Sequence, residues 1–272
     1  HVDINETEMM IEYAINHGVN IFDTAWVYHT TDRSKPGVSE TILGDILSRG
    51  FYDKVHISTK MPSWEIKSWE YFDTTLDKQL ERLKTDTIDL FFVHSIKDSF
   101  YENIKEGGLY EFVDRAISDG RIKHVCFSTH GSYELLNQIL DDYDKWECVL
   151  TQLNYLDETD NTGLRGVEKI NKLGLGTIIM EPLRGGKLAQ KQPSTVQEIF
   201  KKSSKSYTPL EWAFNYLWDK KEVNCVLSGM SSLEQVKENI KLVDIESENK
   251  SIMLNNNRYI KPDGKKYAIL AV

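Results

Sequence analysis

Short apolar runs alternate with amphipathic segments along most of the 272-residue chain, and this alternation limits the fold more than any other feature. The runs resemble buried β-strands and lie at residues 20–23, 55–59, 90–94, 124–128, 149–152, 176–180 and 224–227. Between them, apolar residues recur at three- and four-residue steps, which predicts helices at residues 6–17, 39–48, 72–83, 108–119, 132–140, 163–172 and 208–217. Strict strand–helix alternation with short connections predicts a parallel sheet covered by helices.

A closed barrel of this kind, the (β/α)8 or TIM barrel, has eight strands, whereas the alternating pattern supplies seven. The chain enters a helical pattern directly, so the strand that would precede it is missing at that end. The C-terminal segment offers a candidate, because residues 258–267 resemble a hairpin around Pro262-Asp263-Gly264 and residues 268–272 form a short apolar run. Alternatively, this run is an edge strand or part of a disordered tail. We predict one α/β barrel domain over residues 1–272, in which residues 255–272 supply a cap hairpin and the first strand in permuted order.

The composition disfavours several classes of partner. The net charge of −9 and the isoelectric point of about 5.4 disfavour an extended nucleic-acid-binding face. No apolar run approaches the roughly 18 residues of a transmembrane helix, and the polar first residues do not resemble a signal peptide. Cys126, Cys148 and Cys225 are far apart and lie in or beside predicted strands, which favours buried, reduced thiols over a disulfide or a metal site. We expect a soluble, cytoplasmic protein without nucleic-acid, membrane or metal partners, and the oligomeric state stays open.

Four polar side chains lie at or just beyond the ends of the first three predicted strands. They are Asp23 and Tyr28, within Asp-Thr-Ala-x-x-Tyr, then Lys60 and His94. In a parallel barrel the carboxyl ends of the strands converge on one face, where active sites lie. Taken singly, each residue has an ordinary alternative: a cap or loop contact for Asp23, a core histidine for His94, and surface or rim positions for Lys60 and Tyr28.

Together these four groups suit proton transfer to a carbonyl. A free tyrosine has a pKa near 10, which is high for a proton donor at neutral pH, and a nearby ammonium lowers it. Lys60 can act in this way if Asp23 holds it in place, and His94 can donate a hydrogen bond or relay a proton to the same oxygen. The set can protonate a carbonyl oxygen and stabilise the developing alkoxide while hydride arrives at the carbon.

On these residues the chain resembles the aldo-keto reductases, which are nicotinamide-dependent (β/α)8 enzymes that interconvert carbonyls and alcohols. The resemblance runs from about residue 6 to residue 239 and rests on the segments 20–28, 39–40, 57–62, 87–94, 120–123, 152–155 and 238–239. It implies that Asp23, Tyr28, Lys60 and His94 are the catalytic tetrad, with Tyr28 as the proton donor. The implied activity is NAD(P)H-dependent reduction of an aldehyde or ketone, with a small-molecule carbonyl as substrate.

Within that family the chain looks like a branch whose members often carry a C-terminal iron–sulfur module. The similar segments are 28–29, 127–130, 154–157, 180–188 and 227–230. The chain does not contain the cysteine cluster that such a module needs, so we expect no iron–sulfur cluster in it.

The resemblance also implies where a cofactor and a substrate bind. Ser128, Thr129 and Gln152 match positions that hold the nicotinamide carboxamide, and Met180 stands where many members stack a tyrosine on the ring. The loop after the sixth predicted strand matches the pyrophosphate site, and the end of the seventh matches the adenosine site. The matching residues are Pro182, Leu183, Arg184, Gly185, Gly186 and Lys187 for the loop, then Gly229, Met230, Ser231, Gln235, Glu238 and Asn239.

The sequence says less about which cofactor binds, and about the substrate pocket, than about the cofactor-binding positions. Many members bind the 2′-phosphate with a basic residue at the position of Ser231, which is uncharged here, so we expect NADP on family grounds and leave NAD possible. The residues expected around the substrate are Trp26, His29, Trp64 and Tyr155, with His130 beside them.

Two other functions remain as alternatives. The chain could be a cofactor-binding sensor or regulatory protein that turns over little, a hypothesis that the intact tetrad argues against. It could also be a different barrel enzyme that uses Lys60 as a Schiff-base nucleophile, which requires a lowered lysine pKa.

Overall fold

The computed structural model describes residues 2–30, 32, 35–66, 68–247 and 268–271. The strands are β1 Ile21–Asp23, β2 His56–Pro62, β3 Ile88–Ile96, β4 Ile122–Thr129, β5 Cys148–Gln152, β6 Gly176–Met180, β7 Cys225–Gly229 and β8 Ala268–Ala271. The helices are α1 Ile4–Asn16, α2 Val38–Leu47, α3 Trp69–Leu83, α4 Tyr101–Glu106, α5 Leu109–Ser118, α6 Tyr133–Asp142, α7 Gly163–Lys172, α8 Ser194–Lys201, α9 Pro209–Trp218 and α10 Leu233–Ser247. Short 3-10 turns cover Tyr52–Lys54, Ser63–Glu65 and Lys187–Ala189.

The strands close into a parallel barrel in the order β1 to β8, and the predicted (β/α)8 class is confirmed. Strand β8 lies between β7 and β1, with Leu270 beside Phe22 and Ala268 beside Val226. Residues 268–271 therefore supply the eighth strand that closes the barrel. That β8 is the permuted first strand of the family stays a prediction, and the predicted hairpin at 255–267 lies outside the described residues.

Local sequence signals explain where some of the helices begin. The Asp3 carboxylate accepts the Glu6 N–H at 3.0 Å, so α1 begins earlier than residue 6. Thr208 and Glu211 form a capping box at α9. Helices α4, α8 and α10 are not among the helices predicted from the sequence. Helices α4 and α8 have six and eight residues, which is too short to show a clear apolar period.

The alternation of side chains along each strand divides the core into two layers. One layer packs between the strands and the helices, and the other fills the barrel interior. The interior layer consists of Ile21, Phe92, Cys126, Cys148, Leu150, Ile178, Cys225 and Leu227. The predicted burial of the three cysteines is confirmed, and no disulfide joins them. In the described part of the chain, no helix is long and apolar enough to cross a membrane.

Candidate active site

The structure brings the four predicted tetrad residues together at the carboxyl ends of β1, β2 and β3. Asp23 ends β1, Tyr28 lies in the turn that follows, Lys60 lies on β2, and His94 lies near the end of β3. The Lys60 Nζ donates to the Asp23 carboxylate and lies 4.5 Å from the centre of the Tyr28 ring. The Tyr28 and His94 rings meet edge to face, with their centres 6.0 Å apart. A phenol, an ammonium and an imidazole therefore share one mouth of the barrel.

Lys60 and Asp23 form an ion pair that is closed off from solvent. Lys60 is fully buried and Asp23 is 2% exposed. The ammonium also donates to the Thr24 carbonyl at 2.8 Å, and Ser58 Oγ donates to the other Asp23 oxygen at 2.6 Å. Burial lowers the pKa of Lys60, but Asp23 and the Tyr28 oxygen more than offset this, so the pKa of Lys60 is raised. The lysine is thus a fixed cation, which argues against a Schiff-base nucleophile.

A second buried carboxylate, Glu40 on α2, lies behind Lys60 on the outer face of the sheet. Glu40 accepts hydrogen bonds from Thr59 Oγ1 at 2.7 Å, Gln79 Nε2 at 2.6 Å and Arg82 Nη1 at 3.1 Å. Gln79 Nε2 also lies 3.2 Å from the Lys60 carbonyl oxygen. Burial raises the pKa of Glu40, and its three donors only partly oppose this. This arrangement fixes the backbone that carries the lysine.

Gln79 and Arg82 were missed in the sequence. Both lie on α3, and the signal that could have found them is a polar pair spaced three residues apart within the apolar face formed by Leu76 and Leu83. Trp26, which was predicted to line the substrate pocket, is 6% exposed, and its ring lies 4.2 Å from the Arg82 guanidinium. The structure gives Trp26 a packing contact, and its pocket role stays a prediction.

A bulge in β3 sets the position of His94. The register between β3 and β4 shifts between Val93 and Ile96, and Ser95 has a φ of 53°. The Ser95 N–H donates to Ser128 Oγ at 2.7 Å, which supports this left-handed conformation. A bulge re-aims the side chains beside it, and backbone strain of this kind is concentrated at functional sites.

The His94 imidazole is neutral at neutral pH. Burial lowers the pKa of His94 well below its usual value, and the charges of Lys60 and His130 lower it further. Among the described residues, its buried Nδ1 has no hydrogen-bond partner. The Trp64 ring centre lies 5.3 Å from the His94 ring, and Trp64 is 40% exposed. A neutral imidazole beside an exposed indole suits contact with an uncharged ligand.

The predicted nicotinamide positions lie on β4, β5 and β6. Ser128 is buried and accepts the Ser95 N–H, so its own proton remains for donation. Thr129 Oγ1 donates to the Ile96 carbonyl and accepts the Gly131 N–H, each at 2.8 Å, so its proton is already used. Gln152 and Met180 pair across β5 and β6, and both are partly buried.

The loop after β6 has the backbone of an anion site. Gly185 and Gly186 have φ values of 64° and 84°, and Arg184 has the uncommon non-glycine value of 48°. Within the described residues, the Gly185 and Gly186 N–H groups have no acceptor. Free N–H groups in successive turn residues form a concavity that binds anions, so this loop fits a pyrophosphate. Lys187 begins the 3-10 turn that follows it.

The predicted adenosine positions lie at the end of β7 and on α10. Gly229 is exposed, and the Ser231 N–H and Oγ donate to Gln235 Oε1 at 2.8 and 3.3 Å. Asn239 is buried and donates to Ser228 Oγ at 2.9 Å, whereas Glu238 is exposed. Asn239 thus ties α10 to β7, and Gln235 orders the turn between them.

The remaining predicted pocket residues have different surroundings. His29 is exposed and has a φ of 56°. Tyr155 is partly buried, burial raises its pKa, and its hydroxyl has no partner among the described residues. His130 is partly buried, and burial lowers its pKa. In the described part of the chain, no group of three or more His, Cys, Asp or Glu side chains could hold a metal ion.

Comparisons with known proteins agree with this geometry. The sequence model of the Aldo/keto reductase family matches residues 1–254. YqkF of Bacillus subtilis, described as an uncharacterized oxidoreductase, is 24% identical over 266 residues, which cover 87% of this chain and 81% of that protein. The 6-dehydroglucose reductase of Novosphingobium aromaticivorans is 28% identical over 195 residues, which cover 67% of this chain and 60% of that protein. A solved structure, the holo form of an aldo-keto reductase from Bacillus halodurans, has a TM-score of 0.75 at 20% identity and covers 90% of this chain and 83% of that one.

Proposed function

The chain belongs to the aldo/keto reductase family and is an oxidoreductase, and from this premise we propose that it reduces a small aldehyde or ketone to an alcohol with NADPH. NADH is the alternative cofactor, because the Ser231 side chain carries no charge for a 2′-phosphate. The observation that carries the proposal is the fully buried Lys60 ammonium, held by Asp23 and lying over the Tyr28 ring.

Tyr28 and Lys60, at the carboxyl ends of the strands, have different roles in the proposed reaction. A reduced nicotinamide, when bound, supplies hydride to the carbonyl carbon. Tyr28 gives its proton to the carbonyl oxygen, and Lys60 stabilises the phenolate that remains. Tyr28 would regain its proton from solvent after the alcohol leaves, so the proton balance closes.

His94 would assist without changing its charge. Because its pKa is lowered by burial, it enters the reaction as a neutral imidazole with one N–H. That N–H can hydrogen-bond the same carbonyl oxygen and stabilise the charge that develops there. The Asp23 carboxylate, which accepts from the Lys60 ammonium, keeps Lys60 in position.

The dinucleotide would lie across the strand ends from β4 to β7. Ser128 and Gln152 would hold the carboxamide, the N–H groups of Gly185 and Gly186 with Arg184 would hold the pyrophosphate, and Gly229 to Asn239 would receive the adenosine. The free N–H groups and the uncommitted Ser128 proton support this placement.

The carbonyl substrate would meet the rim beside His94. The half-exposed indole of Trp64 offers a flat apolar surface there, and the neutral His94 adds no charge. One relative is named for reducing a dehydrogenated sugar, so small sugar carbonyls belong in the substrate panel.

Binding and turnover should be measured separately to test the proposal. NADPH and NADH are titrated by calorimetry, and then the loss of NADPH absorbance is followed with a panel of reactive aldehydes and sugar carbonyls. We expect a nicotinamide nucleotide to bind and at least one carbonyl to be reduced. Tight binding without turnover on any carbonyl would instead favour the sensor hypothesis.

A further inference from the structure

One carboxylate oxygen contacts side chains in two separate parts of the proposed cofactor site, through hydrogen bonds in one part and an ion pair in the other. Asp157 follows β5 and is 5% exposed. Its Oδ2 accepts from Asn154 Nδ2 at 2.8 Å and Gln152 Nε2 at 3.4 Å, and it pairs with Arg184 Nε at 3.2 Å. Gln152 belongs to the nicotinamide end of the site and Arg184 to the pyrophosphate loop.

The loop is also held through its backbone. Asn154 Nδ2 donates to the Glu181 carbonyl at 3.2 Å, and its Oδ1 accepts the N–H of Asp157 at 3.1 Å. Glu181 and Arg184 both have left-handed φ values, of 54° and 48°. Non-glycine residues keep such conformations only where their surroundings impose them, and these contacts supply that constraint.

The pairing leaves most of the Arg184 guanidinium available. Only its Nε contacts Asp157, and the side chain is 48% exposed. Within the described residues, neither Nη group has a partner, and these are the donors that bind a phosphate most strongly. Asp157 therefore limits the rotamers of Arg184 without using the end of the side chain.

Gln152 is held from both sides in the same way. Its Oε1 accepts from Asn161 Nδ2 at 2.9 Å while its Nε2 lies near Asp157. A carboxylate can only accept, so it fixes which end of the Gln152 amide is the donor. If Asp157 lost its charge, the orientation of the Gln152 amide and the rotamer of Arg184 would no longer be fixed by it.

We propose that Asp157 is a positioning residue that orients Gln152 for the nicotinamide and Arg184 for the pyrophosphate through one buried oxygen. This inference rests on the proposed function, because it requires a dinucleotide at this face. It adds a residue that touches neither end of the cofactor but sets the geometry of both.

The test compares two ligands that share the phosphate and adenosine groups. NADPH contains the nicotinamide, whereas 2′-phospho-ADP-ribose does not, and both are titrated by calorimetry against Asp157→Asn. We expect roughly tenfold weaker binding of 2′-phospho-ADP-ribose and a clearly larger loss for NADPH, since the ion pair to Arg184 is lost at one end and the hydrogen bond from Gln152 is weakened at the other. Asp160→Asn is the matched control, because it removes an exposed carboxylate three residues away and should bind both ligands as wild type does.

A second variant tests the same contact without removing a buried group. Arg184→Gln alters a half-exposed side chain, and we expect it to weaken both ligands by the same factor, because the lost contact lies in the part that they share. Unchanged binding in Arg184→Gln would overturn the proposal, as would Asp157→Asn weakening both ligands equally. Wild-type protein that bound no nicotinamide nucleotide would overturn the proposed function together with this inference.

Discussion

Two buried carboxylates lie on opposite faces of the barrel sheet, and their surroundings differ. Asp23 belongs to an inner cluster with Tyr28, Lys60 and His94. Glu40 belongs to an outer cluster with Thr59, Gln79 and Arg82. Thr59 and Lys60 are neighbours in sequence, but successive side chains on a strand point to opposite faces, so they belong to different clusters.

The two clusters differ in whether their side chains can exchange protons, and this difference separates the proposed reactive cluster from the supporting one. Both contain a buried carboxylate beside a cation. The inner cluster adds a phenol and an imidazole, groups that can exchange protons, whereas the outer cluster adds a hydroxyl and an amide, which do not. The outer cluster nevertheless contacts the Lys60 carbonyl through Gln79, so it supports the position of the inner one. Variants in the two clusters should therefore separate turnover from stability.

The largest expected effect is on turnover in Tyr28→Phe. Removing the proposed general acid should lower kcat by about 10²- to 10⁴-fold, while NADPH affinity and the free energy of unfolding stay near wild type. Steady-state kinetics, calorimetry and urea unfolding measure the three quantities. Tyr207→Phe is the control, because this tyrosine packs on Trp212 far along the chain from the cluster. Unchanged kcat in Tyr28→Phe would remove Tyr28 from the mechanism.

The next effect falls on both turnover and stability. Lys60→Met leaves Asp23 buried without its cation, which should lower the free energy of unfolding by about 3–5 kcal/mol. The double variant Asp23→Asn/Lys60→Met carries no uncompensated charge, so it should regain most of that stability while kcat stays very low. Urea unfolding combined with kinetics gives both values. A double variant with restored turnover would show that the ion pair serves only the fold.

In the outer cluster the expected effect is on stability and its pH dependence. The pKa of Glu40 is raised by burial, so the folded protein keeps this proton to higher pH than the unfolded chain does. Its contribution to stability is thus fully present below the usual pKa of 4.5 and is lost as the pH rises through the folded-state value. Relative to Glu40→Gln, the free energy of unfolding of the wild type should fall by at most about 1.4 kcal/mol for each pH unit in this range.

Urea unfolding of both proteins from acidic to neutral pH measures this slope. Glu81→Gln is the control, because Glu81 is exposed on α3 and should show no pH-dependent difference. Values of kcat for Glu40→Gln close to wild type would keep the outer cluster in a supporting role. A loss of kcat comparable with that of Tyr28→Phe would contradict the comparison.

The inner cluster could be predicted from sequence to a greater extent than the outer one. Asp23, Lys60 and His94 each follow an apolar run, and the convergence of parallel strand ends placed them together. Gln79 and Arg82 had no such signal, because a polar residue on a helix resembles solvent-facing residues until the helix is packed. The contacts of Asp157 depend in the same way on Arg184, which is 27 residues away in the sequence (184 − 157) and meets it only when β5 and β6 pair.

Barrel closure was the least predictable part of the fold. The alternation of strands and helices in the sequence predicts a parallel sheet, and the structure pairs each of β1 to β7 with its neighbour in sequence. The partner of β1 on its other side is β8, from the far end of the chain, and the unfilled position in the barrel and a short apolar run were the signals for it. The bulge at Ser95 was also missed, because its hydrogen bond to Ser128 forms across two strands.

The smallest expected effect is the pH response of His94, and its sign is opposite to that of Glu40. The pKa of His94 is lowered by burial and by Lys60, so the unfolded chain takes up this proton at higher pH than the folded protein does. Wild-type stability relative to His94→Gln should therefore be constant above the usual pKa of 6.5 and fall as the pH drops below it. Because the imidazole stays neutral, kcat/KM should show no ionisation near pH 6.5 from this residue.

His17→Gln, at an exposed histidine that ends α1, should show neither change. An inflection near 6.5 in kcat/KM that disappears in His94→Gln would mean that the inner cluster works with a charged imidazole, and its electrostatic difference from the outer cluster would then be smaller than the geometry indicates.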